Sequence, residues 1–233
     1  MRETVEIVQM ACRGEKLAYP GKIMQLPRPG KQGKALRLAQ PPTDVPIYLA
    51  TLAPRGLELT GEIADGWLGT SFTPDAAEAH LAHLRRGAEK AGRKLEDIAL
   101  CVDAAVAITD DPEPFIQAHK ASLAFQLSAM GSPTLNFYND AYARSGFQNP
   151  CREVRDRWLA GDRAGAVQAV PDAMVRETTL FGDCSWVRER IEQYRAVGID
   201  ELMLHPVGSD MSKRLDVLGQ SVELVQQASA SAS

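Results

Sequence analysis

What this sequence has little of narrows its function classes before any motif is read. No apolar run approaches the ~20 residues that a membrane-spanning helix needs, and the first residues carry no signal-peptide core. The four cysteines, Cys12, Cys101, Cys151 and Cys184, lie far apart with no CxxC pair. That spacing fits reduced thiols in a cytoplasmic protein and neither a disulfide framework nor a zinc site. Excess charge is also scarce: the formal net charge is −4 with no basic stripe, which argues against nucleic acid as a partner. There is no Walker loop, HExxH pair, nucleophile elbow or GxGxxG set between strand and helix. What remains is a soluble α/β chain of 233 residues, long enough to bury a sizeable core.

The chain is organised around residues 45–66, VPIYLATLAPRGLELTGEIADG. The short apolar run Val45, Ile47, Tyr48, Leu49 ends in the small residues Ala50 and Thr51. Pro54 then stands at a first helical position, where its missing N–H is no loss. Leu57, Gly61 and Ala64 share one helical face, Gly66 is expected to close the helix, and WLGTS starts a new strand. This is a βαβ unit with a small-residue turn at the carboxyl end of its first strand, where exposed N–H groups at a helix start suit anions.

The rest of the chain continues the alternation. Residues 2–13 have the pattern of an amphipathic helix (Val5, Val8, Cys12) stopped by Gly14; no strand precedes it, which points to truncation. Residues 15–27 read as a hairpin turning at Pro20-Gly21, and residues 28–44 as a solvated loop. Thr73-Pro74-Asp75 opens a helix carrying Leu81, Leu84 and Ala88 on one face, and residues 98–109 form a further strand. From 113 to about 180 the pattern is mostly helical, with breaks at 131–133, 145–146 and 149–150, too long for a simple crossover and therefore a helical insertion. A helix at 185–197, a strand at 201–205 and a helix at 214–227 complete one domain over residues 1–227. Residues 228–233 are expected to be a disordered tail. Alternating strands and helices imply a parallel sheet, either doubly wound or part of a (β/α)8 barrel.

A resemblance makes the choice. PIYLATLAPRGLELTGEIADGWLGTS (46–71) is similar to the fifth-strand segment of the luciferase-like monooxygenase superfamily, particularly its branch dependent on the deazaflavin coenzyme F420. Further matches follow in order: RETVEIV and CRGE near the start, Tyr19-Pro20-Gly21, SGF at 145–147, RDRWLAGDRAGAVQAVPD, and LFGDCSWVRERIEQYRAVGIDELML. The resemblance implies an α/β fold comprising the late strands and helices of a (β/α)8 TIM-type barrel, with a helical insertion and the barrel's N-terminal part lacking. It implies hydride transfer with F420 on a small-molecule substrate. An FMN-dependent monooxygenase of the same fold is the alternative. So is a non-catalytic fragment, or a subunit needing a complementing N-terminal chain. A homodimer is in keeping with the family, whereas half a barrel alone is expected to be marginal or self-pairing. Residues nearest the hydride in the family come from early strands, so no catalytic residue is named.

Site candidates follow from that frame. The resemblance implies that the turn Ala50, Thr51, Leu52, Ala53, Pro54 lies against the cofactor with its N–H groups toward the phosphate. Leu52-Ala53 stand where family members often carry Gly-Gly, which narrows the backbone's approach. Thr70 and Ser71 end the next strand, where their hydroxyls would bond the phosphate or acidic tail, or else help to cap the following helix. His205 ends the last strand with no partner acid at a fixed spacing. Asp103 interrupts an apolar strand. His80 and His83 are three apart on a helix, but their flank and outer positions read as a solvated face. Asp65 and Trp67 are explained by packing and turn formation, and Arg176, Arg188, Arg190 and Arg214 are indistinguishable from surface arginines.

Overall fold

In the computed structural model, which describes residues 1–30, 32–132 and 134–230, the chain opens with helix α1 (Arg2–Cys12) and a small antiparallel hairpin, β1 (Tyr19–Pro20) with β2 (Gln25–Leu26). The Glu3 carboxylate accepts hydrogen bonds from the N–H groups of Lys22, Ile23 and Met24, tying α1 to the hairpin turn. Three β-strands then alternate with helices: β3 (Tyr48–Ala50), α2 (Pro54–Ile63), β4 (Gly66–Gly69), α3 (Glu78–Lys90) and β5 (Ala99–Ile108) lead into a helical insertion. The insertion comprises α4 (Glu113–Ala129), α5 (Phe137–Tyr142), α6 (Gln148–Leu159), α7 (Arg163–Gln168) and α8 (Asp172–Thr178). The chain returns through β6 (Thr179–Gly182), α9 (Cys184–Ala196), β7 (Glu201–Pro206) and α10 (Met211–Ala230).

All pairings among β3 to β7 are parallel. Ala105 of β5 faces Thr179 of β6 and His205 of β7, so those two strands flank β5 on opposite sides. Val102 likewise faces Gly69 and Leu202, so β4 and β6 follow one another along the same side of β5. The result is an open parallel sheet and not a closed barrel: among the described residues β3 pairs only with β4, and β7 only with β5. This agrees with the expected α/β class, its parallel sheet and its helical insertion.

Two apolar clusters hold the parts together. One, including Leu57, Trp67, Leu84, Val102 and Tyr194, lies between the sheet and α2, α3, α9 and α10. The other, including Ile116, Leu123, Val154, Met174 and Phe181, binds the insertion to the ends of β5 and β6. Helices α2 and α3 cross backbone to backbone, because a Cβ on Gly61 would lie 2.0 Å from the Leu84 carbonyl oxygen. One on Gly87 would lie 1.9 Å from that of Glu58.

Several local expectations change. Helix α2 ends at Ile63, and Gly66 belongs to β4, where the Tyr48 ring occupies the space a Cβ would need (2.3 Å). The segment expected to be helical to about 180 ends in β6, whose four residues are too few to show a period. Gly146 marks a real break, a π-helical turn at Ala143–Phe147 with φ +101°. Pro150, by contrast, sits in the first turn of α6, where its ring is tolerated. Helix α10 runs through Ala230, and residues 231–233 of the expected tail lie outside the described residues, as do Lys31 of the loop and Pro133 of the break at 131–133.

Candidate cofactor and substrate face

Both groups of candidate residues lie at the carboxyl end of the sheet, but the structure does not merge them into one cavity. The first is the turn between β3 and α2. Its carbonyls are engaged inward: the Thr51 oxygen accepts from the Trp67 indole N–H at 2.9 Å, and the Leu52 oxygen from the Arg144 guanidinium at 2.7 Å. The Thr51 side chain is buried, with its hydroxyl 2.8 Å from that of Thr60, which in turn donates to the Gly56 carbonyl. The Thr51 hydroxyl is therefore engaged inside the fold. Ala50 is exposed, and Leu52, Ala53 and Pro54 are half-buried. Ala53, the residue before the first helical turn, offers no side-chain cap, and the first turn of α2 holds no acid. The positive end of this ten-residue helix is left uncompensated, the condition in which backbone N–H groups receive an anion. By contrast, Asp183 caps α9, and Thr73 caps the turn at Pro74–Ala76.

The Thr73 cap settles what Thr70 and Ser71 do not do: neither caps the helix after β4. They line a cavity of about 200 Å³ together with Asp103 of β5 and His205 of β7. Phe72, Ala104 and Ala105 extend the sheet side, and the insertion supplies the opposite wall, with His119, Leu123 and Gln126 from α4, Tyr142 at the end of α5 and Thr178 at the end of α8. Sequence reasoning missed these five insertion residues. Ser71 adopts φ +55°, a left-handed conformation that is strained for a residue with a Cβ, and its buried hydroxyl oxygen has no hydrogen-bond partner. Tyr142 approaches the Ser71 and Thr178 hydroxyls, while burial pushes its phenol up to about 12 and keeps it protonated. Burial holds the His119 imidazole below its usual value.

The pairing of Asp103 with His205 was invisible in the sequence. Register places Ala105 opposite His205, so Asp103 and His205 are diagonal neighbours on one face, with Nε2 3.6 Å from Oδ2. The other carboxylate oxygen, Asp103 Oδ1, is buried and unpaired.

The remaining candidates are structural. His80, read as part of a solvated face, is wholly buried and packs against the rings of Trp67 and Phe72. The expectation failed because His80, three residues after Ala77 and four before Leu84, stands at the edge of the buried face, where the Trp67 and Phe72 rings reach over it. Burial pushes the His80 imidazole down to about 4, with positively charged Arg144 adding to the effect, and neither ring nitrogen has a partner. His83 lies beside Glu58, 3.7 Å away. Asp65 accepts from the Ile47 N–H, Arg176 pairs with Glu113, Arg188 is exposed, and Arg214 donates to the Gly208 carbonyl. Buried Arg190 bridges Asp75 and the Glu177 carbonyl, fastening the turn after β4 to the insertion. Among the described residues no helix is long and apolar enough to cross a membrane.

The chain is similar to known proteins over nearly its whole length. The sequence profile of luciferase-like monooxygenases matches residues 1–201. A Mycobacterium tuberculosis protein that carries the provisional name coenzyme F420-dependent oxidoreductase is 30% identical over 226 residues, 93% of this chain and 65% of that protein. The 5,10-methylenetetrahydromethanopterin reductase of Methanopyrus kandleri is 26% identical, over 95% of this chain and 61% of the reductase. The solved structure of the coenzyme F420-dependent tetrahydromethanopterin reductase from the same organism superposes with a TM-score of 0.73, over 94% of this chain and 61% of that one. The chain thus spans less than two thirds of the length of these relatives.

Proposed function

We propose, from the premise that the chain belongs to the luciferase-like monooxygenase family, that it is an F420-dependent oxidoreductase acting on a small organic molecule. The observation that carries the cofactor assignment is the uncompensated start of α2, which suits the phosphate of F420. In this reading Ala50, Thr51, Leu52, Ala53 and Pro54 line that phosphate, with backbone N–H groups of the turn as the donors and Pro54, which has no N–H, shaping the helix start. Thr70 and Ser71 contact the uncharged part of the cofactor at the rim of the cavity. Bound F420 supplies hydride chemistry. The chain's own contribution is orientation: Arg144 and Trp67 fix the carbonyls of the turn, so its N–H groups keep one direction.

Reduced thiols and the absence of a membrane-length helix among the described residues support a cytoplasmic setting. The single-partnered strands β3 and β7 offer edges to a second chain, either a homodimer copy or a complementing N-terminal chain. The test is titration with oxidised F420 and, separately, FMN, followed by fluorescence and melting temperature. F420 should bind saturably and raise the melting point, by about 2.7 kcal/mol of stabilisation at a hundredfold excess over Kd. Preference for FMN, or binding of neither, would overturn the reading.

A further inference from the structure

The cavity behind Thr70 and Ser71 differs in chemistry from a phosphate site. Its lining contains a carboxylate and no lysine or arginine. One of its buried polar atoms, Asp103 Oδ1, has no hydrogen-bond partner, and Ser71, whose Oγ has the Tyr142 phenol as its one polar neighbour, is held in a strained backbone conformation. An unpaired buried acceptor and backbone strain are both costly, and they persist together where a bound molecule completes the set. His205 engages the other carboxylate oxygen, Oδ2, and so keeps Oδ1 aimed at the cavity.

We infer that this cavity is a subsite for a neutral, hydroxyl-bearing group, whose O–H donates to Asp103 Oδ1 and whose oxygen can accept from Ser71. A phosphate is turned away by the carboxylate, which no lining lysine or arginine among the described residues offsets. The inference rests on the reading above of this face as the place where cofactor and substrate meet, and it names the chemical class of the group presented there. His205 is a positioning residue in this arrangement, and Asp103 is the group that touches the ligand.

The chain has four histidines, which makes imidazole NMR a practical readout: His119 and His205 line the cavity, whereas His80 and His83 sit on α3. Glycerol serves as the neutral probe and inorganic phosphate as the anionic one. Glycerol should shift the His119 and His205 signals saturably and leave those of His80 and His83 in place, while phosphate leaves all four unchanged. Asp103→Leu should weaken glycerol binding about tenfold, the loss expected for one charge-assisted hydrogen bond. Asp103→Asn, which keeps an acceptor oxygen, should recover part of it. The melting temperature of Asp103→Leu should not fall, because the change removes an unpaired buried oxygen. A marked fall, a glycerol response retained in Asp103→Leu, or the same shifts from phosphate would each overturn the assignment. F420 titration of the same variant separates the sources of the hydroxyl. Unchanged F420 affinity assigns the subsite to the substrate, and a parallel loss assigns it to the hydroxylated chain of the cofactor. Wild-type protein that responds to glycerol yet binds no F420 would remove the proposed function and leave the subsite standing.

Discussion

The turn before α2 and the cavity between β4, β5 and β7 lie at the same end of one sheet, yet they are built on opposite electrostatic terms. The turn presents an uncapped helix start with no acid in its first turn. The cavity presents a carboxylate, imidazoles and hydroxyls, with no lysine or arginine among the described residues that line it. Adjacent strand ends can therefore divide one ligand face into an anion-seeking half and a half that seeks neutral donors. The turn's half depends on the α2–α3 crossing, whereas the cavity depends on the insertion. Gly87→Ala should separate the two. Its Cβ would collide with the Glu58 carbonyl, costing about 3 kcal/mol or more and lowering the melting temperature by roughly 6–12 °C. F420 affinity should fall with it, while the His119 and His205 imidazole signals hold their positions. Equal loss of both would mean that the halves are not independent.

His80 sharpens the comparison from beneath, since it packs under Trp67, whose indole holds the turn, and Phe72, which lines the cavity. Its folded-state pKa of about 4 lies below the ordinary value of 6.5. The unfolded chain thus binds the proton first as pH falls, and stability drops between about pH 6.5 and pH 4. The contribution is about 3 kcal/mol, present above pH 6.5 and lost below pH 4. His80→Leu should flatten that part of the stability–pH curve without loss of stability at pH 7, because both ring nitrogens lack partners. Urea unfolding across this range would show it, and an unchanged slope in the variant would place the titration elsewhere.

The two halves also differ in how much of them a sequence can disclose. The turn lies within five consecutive residues, and Pro54 announces the helix start that gives it meaning. The alternation of β3, α2, β4, α3 and β5 was legible for the same reason, because each element carries its own period. The cavity is assembled from β4, β5, β7 and three helices of the insertion. Asp103 and His205 meet only through the register of parallel strands about a hundred residues apart in sequence. Tyr142 and Thr178 enter at helix ends whose placement depends on tertiary packing. One usable signal was present: a carboxylate inside the apolar run of residues 99–108 is out of place unless something pairs with it. Parallel pairing with the strand that ends in His205 would have supplied the partner.

Arg144 joins the halves, since it sits in the insertion and donates to the Leu52 carbonyl of the turn. Arg144→Met should cost about 1.5–2 kcal/mol and lower F420 affinity about tenfold by freeing the turn, without affecting glycerol binding in the cavity. An effect on both ligands would make Arg144 part of the cavity wall.

The smallest expected effect is the most discriminating for the turn. Thr51→Val keeps the shape of the side chain and removes the hydroxyl next to Thr60. Thr60 retains the Gly56 carbonyl as its acceptor, so the loss should be about 1 kcal/mol and no polar group is stranded. F420 affinity should stay within twofold, because the turn is proposed to meet the cofactor through backbone N–H groups while this hydroxyl faces the helix interior. A tenfold loss of F420 affinity at unchanged stability would place the Thr51 side chain on the ligand instead. The turn would then have to open on binding, exchanging its internal hydroxyl pair for a contact to the phosphate.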